Sequence, residues 1–127
     1  DADEVTADFH APVLKVMEHV AGRKFTAQDF DGWDIFGVLT KEQLDVVFDH
    51  MSQPGFAQTL NVAVGALDAV RELSKIGTVY MVSAPFTPSP TWSYDRTRWA
   101  YDRLGIPPDR VVMTSAKYRV HGRALID

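Results

Sequence analysis

Two carboxylates two positions apart, Asp1 and Asp3, are the first residues of this sequence with the means to do chemistry. On an extended backbone alternate side chains share a face, so the pair can divide labour. One carboxylate can attack as a nucleophile and ligate a hard cation. The other, beside a like charge, holds a proton more readily and can act as a general acid. Ser83 follows an apolar run at residues 78–82. Its hydroxyl and the next amide, that of Ala84, would then lie at the carboxyl end of a strand, where open α/β sheets bind ligands, and that combination suits a phosphate. Lys117, four residues past Met113, can set an ammonium against a phosphate and a carboxylate. Asp127, after Ala124-Leu125-Ile126, can offer oxygen to Mg²⁺. Each has a plainer counterpart: a solvated acidic segment, a turn opener, a surface lysine, a strand terminator. What favours the chemical reading is the order: an acid pair, a serine, a lysine and an acid, each at the expected carboxyl end of a strand.

These residues need elements to hold them. Val13, Leu14, Val16, Met17 and Val20 recur at helical spacing with Gly22 as a left-handed stop, which predicts an amphipathic helix. Residues 25–38 mix aromatics with Asp29, Asp31, Asp34 and two glycines, the chemistry of an ordered loop. Thr40 with Gln43 forms a capping-box pattern ahead of Leu44, Val47, Phe48 and Met51, a second helix closed by Pro54-Gly55. A third helix is expected over 64–76, a strand over 78–82, a helix over 94–104 closed by Gly105, and strands over 110–113 and 124–126. Strand, helix, strand implies a parallel crossover. The fold class is therefore α/β from about residue 64, with helical, strandless residues 10–58 inserted like a cap.

At 127 residues one domain is expected. With 46% hydrophobic and 24% charged residues the chain belongs with globular proteins. Its net charge of −4 and the lack of a Lys/Arg run argue against a nucleic acid polymer as partner. No apolar run approaches membrane-spanning length, and with no cysteine a cytoplasmic setting is expected. The apolar run before Asp127 and the acidic start point to residues beyond both ends. His10, His19, His50 and His121 have no metal-ligand spacing, Ser83 lies in no G-x-S-x-G elbow, and Asp29, Asp31 and Asp34 lack the EF-hand pattern.

The details resemble one family. Asp1-Ala2-Asp3-Glu4-Val5-Thr6-Ala7-Asp8-Phe9 is similar to the D-x-D-G-V-x-A-D-F opening of the 5′(3′)-deoxyribonucleotidases, of the cytosolic 5′-nucleotidase type C group in the haloacid dehalogenase (HAD) superfamily. Pro54-Gly55-Phe56, Ser83-Ala84-Pro85, Trp92-Ser93-Tyr94-Asp95 with Arg98-Trp99, Thr114-Ser115-Ala116-Lys117 and Leu125-Ile126-Asp127 extend the likeness over essentially the whole chain. The resemblance implies a Rossmann-like parallel sheet flanked by helices, with a small helical cap after the first strand. It implies hydrolysis of nucleoside 5′-monophosphates with Mg²⁺. By motif, Asp1 would attack phosphorus, Asp3 would protonate the leaving oxygen and then activate water, and Asp1, the Asp3 carbonyl and Asp127 would hold the metal. Ser83, Ala84 and Lys117 would grip the phosphate. Trp33, Phe36, Phe56 and Phe86 are candidates to sandwich the base, against the plainer reading that they form the cap's core. The expected partner is a small nucleotide, and a homodimer is the assembly considered.

Three departures stand out. Glu4 replaces the family's glycine, putting bulk and charge beside the anion site. Asp127 is the first of two adjacent acids in the family pattern, and no apolar strand precedes Asp1. Two alternatives therefore stay open: a binding protein that has lost turnover, and a phosphatase for another small phosphoester.

Overall fold

The computed structural model describes residues 1–32 and 34–126. Its elements in chain order are β1 (Ala7–Asp8), α1 (His10–Ala21), α2 (Lys41–Ser52), β2 (Asn61–Val62), α3 (Ala66–Ile76), β3 (Met81–Ser83), α4 (Trp92–Leu104) and β4 (Val111–Met113). This is a mixed α/β arrangement.

Local chemistry accounts for several helix ends. Gly22 and Gly105 take left-handed φ values of 67° and 69°, a region open to glycine, and so stop α1 and α4. The Thr40 hydroxyl accepts from Gln43 N at 3.3 Å and Gln43 Oε1 accepts from Thr40 N at 3.0 Å, so the expected capping box opens α2. Buried apolar residues lie at helical spacing: Val13 and Met17 on α1, Val47 and Met51 on α2, Trp99, Ala100 and Leu104 on α4. They join Ala2, Ala7, Phe56, Leu60, Val70, Met81 and Ile106 in one core cluster.

Two small sheets order the rest. β3 and β4 pair in parallel, Met81 with Val111 through Ser83 with Met113, with α4 between them in sequence. This is the expected crossover. β1 and β2 pair antiparallel, Ala7 with Val62 and Asp8 with Asn61. That pairing was not foreseen, since two-residue strands carry no periodicity. It brings together the two segments that lead into and out of residues 10–58, where α1 packs against α2.

Three expectations need correction. The strand foreseen over 78–82 is confined to Met81–Ser83, and the helix foreseen from 64 begins at Ala66, after Gly65 at φ 81°. Residues 124–126 form no strand, and Leu125 and Ile126 stay exposed, because no neighbouring strand offers them a ladder.

Candidate active site

The parallel pair β3–β4 ends where the sequence placed its anion-binding groups. Ser83 is the last residue of β3, and its carbonyl accepts from Thr114 N at 2.8 Å, so the two strand exits are held side by side. The Ser83 side chain is 0% exposed, and its Oγ has no hydrogen-bond partner among the described residues. A buried hydroxyl without a partner is uncommon and calls for a reason. Ala84 follows, half-buried.

Lys117 opens a short 3₁₀ turn, Lys117–Arg119, beyond β4. Its Nζ donates to Asp1 Oδ2, a charge-assisted contact across most of the chain's length. The Asp1 backbone nitrogen donates to the Ile126 carbonyl at 2.8 Å, which ties residue 1 to the segment leading to Asp127. Asp1, Val82, Lys117, Tyr118, Val120 and Leu125 line a cavity of about 350 Å³. The structure thus brings Asp1 and Lys117 into contact and joins them to β3 through Val82. Asp127, the third expected metal ligand, and Trp33, one of the expected base partners, lie outside the described residues.

Asp3 makes a contact of its own. Its Oδ1 accepts from Arg96 Nη2, on α4. Arg96 is 0% exposed, with its guanidinium 5.3 Å from the Trp92 ring centroid and 5.6 Å from that of Trp99. Nε and Nη1 find no partner among the described residues. Burial pushes this guanidinium below its ordinary pKa, and the neighbouring Asp3 works to raise it. Sequence reasoning did not single out Arg96, which is one of three arginines on α4. A signal was present: Trp92, Asp95, Arg96 and Trp99 recur at helical spacing, and all four are buried.

Glu4 sits at φ 60°, the left-handed region that favours glycine. Its carboxylate turns to α1. Oε1 accepts from Phe9 N at 2.9 Å and His10 N at 2.7 Å, and Oε2 lies 3.3 Å from His10 Nδ1. The bulky substitute for glycine therefore serves as a remote cap for a helix whose own N-cap, Phe9, has none to offer. The acidic loop residues Asp29 and Asp34 likewise serve local turns, accepting from Thr26 and from Phe36 and Gly37.

The aromatic candidates Phe36, Phe56 and Phe86 fall into one run. Phe36 packs edge-on against Phe48 at 5.2 Å, Phe48 against Phe86 at 5.3 Å, Phe86 against Trp92 at 5.4 Å, and Trp92 stacks on Phe56 at 6.2 Å. Phe56 is only 9% exposed, closer to a core residue than to an open stacking platform. Phe36 and Phe86 are half-buried.

For a metal, the donor chemistry fits a hard cation. Asp1 supplies a partly buried carboxylate, the Asp3 carbonyl lies two residues on, and there is no thiol in the chain. Among the described residues no cluster of three His, Cys, Asp or Glu side chains forms a complete set. Among them, too, no helix is long and apolar enough to cross a membrane.

Comparison with known proteins gives the family. The two Staphylococcus epidermidis strains ATCC 35984 and ATCC 12228 each carry a protein named "Putative 5'(3')-deoxyribonucleotidase" that is 25% identical over 128 residues, spanning all of this chain and 70% of the relative. The human "5'(3')-deoxyribonucleotidase, cytosolic type" is 29% identical over 139 residues, covering all of this chain and 67% of the human protein. The family model described as "5' nucleotidase, deoxy (Pyrimidine), cytosolic type C protein" matches residues 1–127. The chain therefore belongs to this cytosolic type C 5′-nucleotidase family and, with it, to the phosphoric monoester hydrolases.

Proposed function

We propose that the chain hydrolyses 5′-deoxynucleoside monophosphates to nucleoside and phosphate, with Asp1 as nucleophile and residues 10–58 as the cap over a HAD-like parallel sheet. The observation that carries the reading is the contact between Lys117 Nζ and Asp1 Oδ2 at the exits of β3 and β4. A carboxylate can approach a phosphoryl group crowded with negative oxygens only where cations offset the charge that accumulates. Lys117 supplies one such cation. Ser83 Oγ, buried and without a partner among the described residues, would with the Ala84 amide donate to phosphate oxygens.

In this reading Asp1 attacks phosphorus, the P–O bond to the sugar breaks, and Asp3 gives its proton to the departing oxygen. Asp3 then takes a proton from water, which attacks the aspartyl-phosphate and releases phosphate with Asp1 restored. Asp1, the Asp3 carbonyl and Asp127 would hold Mg²⁺, which when bound supplies Lewis-acid stabilisation of phosphoryl oxygens. Arg96 holds Asp3 Oδ1, leaving its second oxygen to the reaction. Phe36, Phe86 and Trp33 are the candidates to receive the base, and Phe56 stacks on Trp92, which also meets Phe86. A cytoplasmic location is in keeping with the human relative, which is of the "cytosolic type".

Glu4 supports this reading over one of binding alone: its carboxylate is engaged with α1. The experiment is phosphate release from deoxynucleoside monophosphates with Mg²⁺, beside Asp1→Asn. Release by the wild type and none by the variant is expected. A wild type that cleaves no phosphomonoester overturns the reading.

A further inference from the structure

Asp95 is a second buried charge on α4, next to Arg96, and takes no part in the chemistry above. It is 3% exposed, and its carboxylate accepts three hydrogen bonds: from Thr91 Oγ1 at 2.7 Å, from Gly55 N at 2.8 Å and from Gln58 Nε2 at 2.6 Å. Thr91 is the residue just before the helix. Gly55 and Gln58 lie at the returning end of residues 10–58. Gly55 has φ 87°, so this tight turn aims its amide at Asp95 in a conformation that side chains disfavour. One helical turn on, Trp99 Nε1 donates to the Leu60 carbonyl at 2.7 Å. The outgoing segment is held by the same helix, through Arg96 and Asp3. Both roots of the 10–58 segment are thus fastened to one face of α4, and β1–β2 pairing joins them to each other.

This fastening also sets the aromatic run. Phe56 lies between Gly55 and Gln58, the two residues that Asp95 holds, and stacks on Trp92, the first residue of α4. His50 meets Phe56 edge-on at 5.7 Å, so the end of α2 is registered against the same ring. Trp92 Nε1 is buried without a partner among the described residues, a donor left over beside Phe86 and Phe56.

We infer that Asp95 is a specificity-determining positioning residue: it locks the returning root of the cap to α4 and so sets the spacing between the cap aromatics and the phosphate site. The inference rests on the nucleotidase reading, in which the cap receives the base. It assigns Asp95 no contact with substrate. Loosening the root should therefore weaken recognition of the base while leaving the phosphate end intact, because Ser83, Lys117 and Asp1 are held by β3, β4 and the segment ending at Ile126.

The test is Asp95→Asn, nearly isosteric but with an amide group where Thr91, Gly55 and Gln58 need acceptors. Gln58→Ala, which deletes a single bond, is the milder variant should the first not fold. The KM of a deoxynucleoside monophosphate and the Ki of inorganic phosphate, measured by inhibition of the same turnover, are compared. For Asp95→Asn we expect the nucleotide KM to rise about tenfold, with phosphate Ki and kcat within about threefold of wild type. Gln58→Ala should show the same split at about threefold. A KM and a phosphate Ki that worsen together, or neither changing in a folded variant, overturn the inference. A wild-type chain without turnover removes the nucleotidase reading itself and this inference with it.

Discussion

Ser83 at the exit of β3 and Asp95 at the root of the 10–58 segment are both buried polar groups, and their hydrogen bonding is completed in opposite ways. At the root, the three donors that Asp95 gathers are all met, and Trp99 Nε1 has its carbonyl. At the exit of β3, Ser83 Oγ is left without a partner among the described residues. An unmet buried donor costs about 1–3 kcal/mol, so a fold keeps one only where something else supplies the acceptor. The Asp95 cluster is closed scaffold; on the proposed function the open Ser83 hydroxyl receives a group rich in acceptor oxygens, such as a phosphate.

The largest effect expected is at the open region. Asp1→Asn should lower phosphate release by a factor of about 10⁴ or more, and Lys117→Met by about 10²–10³, each read as kcat with a deoxynucleoside monophosphate. Ser83→Ala sharpens the contrast, because it removes an unmet donor rather than a met one. It should lower kcat/KM by about tenfold or more while leaving Tm unchanged or slightly raised in the absence of ligand.

Asp95→Ala should do the reverse. Stranding three donors is expected to destabilise by about 2–4 kcal/mol, seen as a fall of several degrees in Tm. If Ser83→Ala destabilises as much as Asp95→Ala, the distinction between the two regions collapses. The pH dependence has a definite sign. Burial alone would push the Asp95 carboxyl up, but its hydrogen bonds from Thr91, Gln58 and Gly55 outweigh that and hold it below the ordinary carboxylate value. Its contribution is therefore present at and above the ordinary carboxylate range and is lost as pH falls through the lowered folded value. A Tm series in acid should slope less steeply for Asp95→Asn than for the wild type.

The smallest effect belongs to Glu4→Gly. It relieves a φ of 60° but removes the carboxylate that caps α1. These terms are of opposite sign and each about 1 kcal/mol, so the expected change in unfolding free energy by urea titration is within about 1 kcal/mol.

Legibility from the sequence followed the range over which each signal acts. The Thr40–Gln43 box and the stops at Gly22 and Gly105 involve neighbours, and they were readable. Asp1 and Lys117 were readable through their place in an ordered motif, although nothing local joins residues so far apart. Asp95 and Arg96 were not. Charged residues on a helix are ordinarily solvated, and only the tertiary arrangement, with the 55–60 turn on one side and Asp3 on the other, makes these two buried. Strands of two or three residues, such as β1 and β2, are too short for alternation to register. The run Ala124-Leu125-Ile126 has strand composition and still forms none, because pairing depends on a neighbour and not on composition.

The claim on which all of this turns is that Asp1 takes the phosphoryl group before water does, and the stereochemical course at phosphorus tests it most directly. A deoxynucleoside 5′-phosphorothioate made chiral at phosphorus with an oxygen isotope, turned over in isotopically distinct water, should give chiral thiophosphate with configuration retained, since two in-line displacements restore it. Inverted thiophosphate would mean that water attacks the substrate directly and that Asp1 is not the nucleophile.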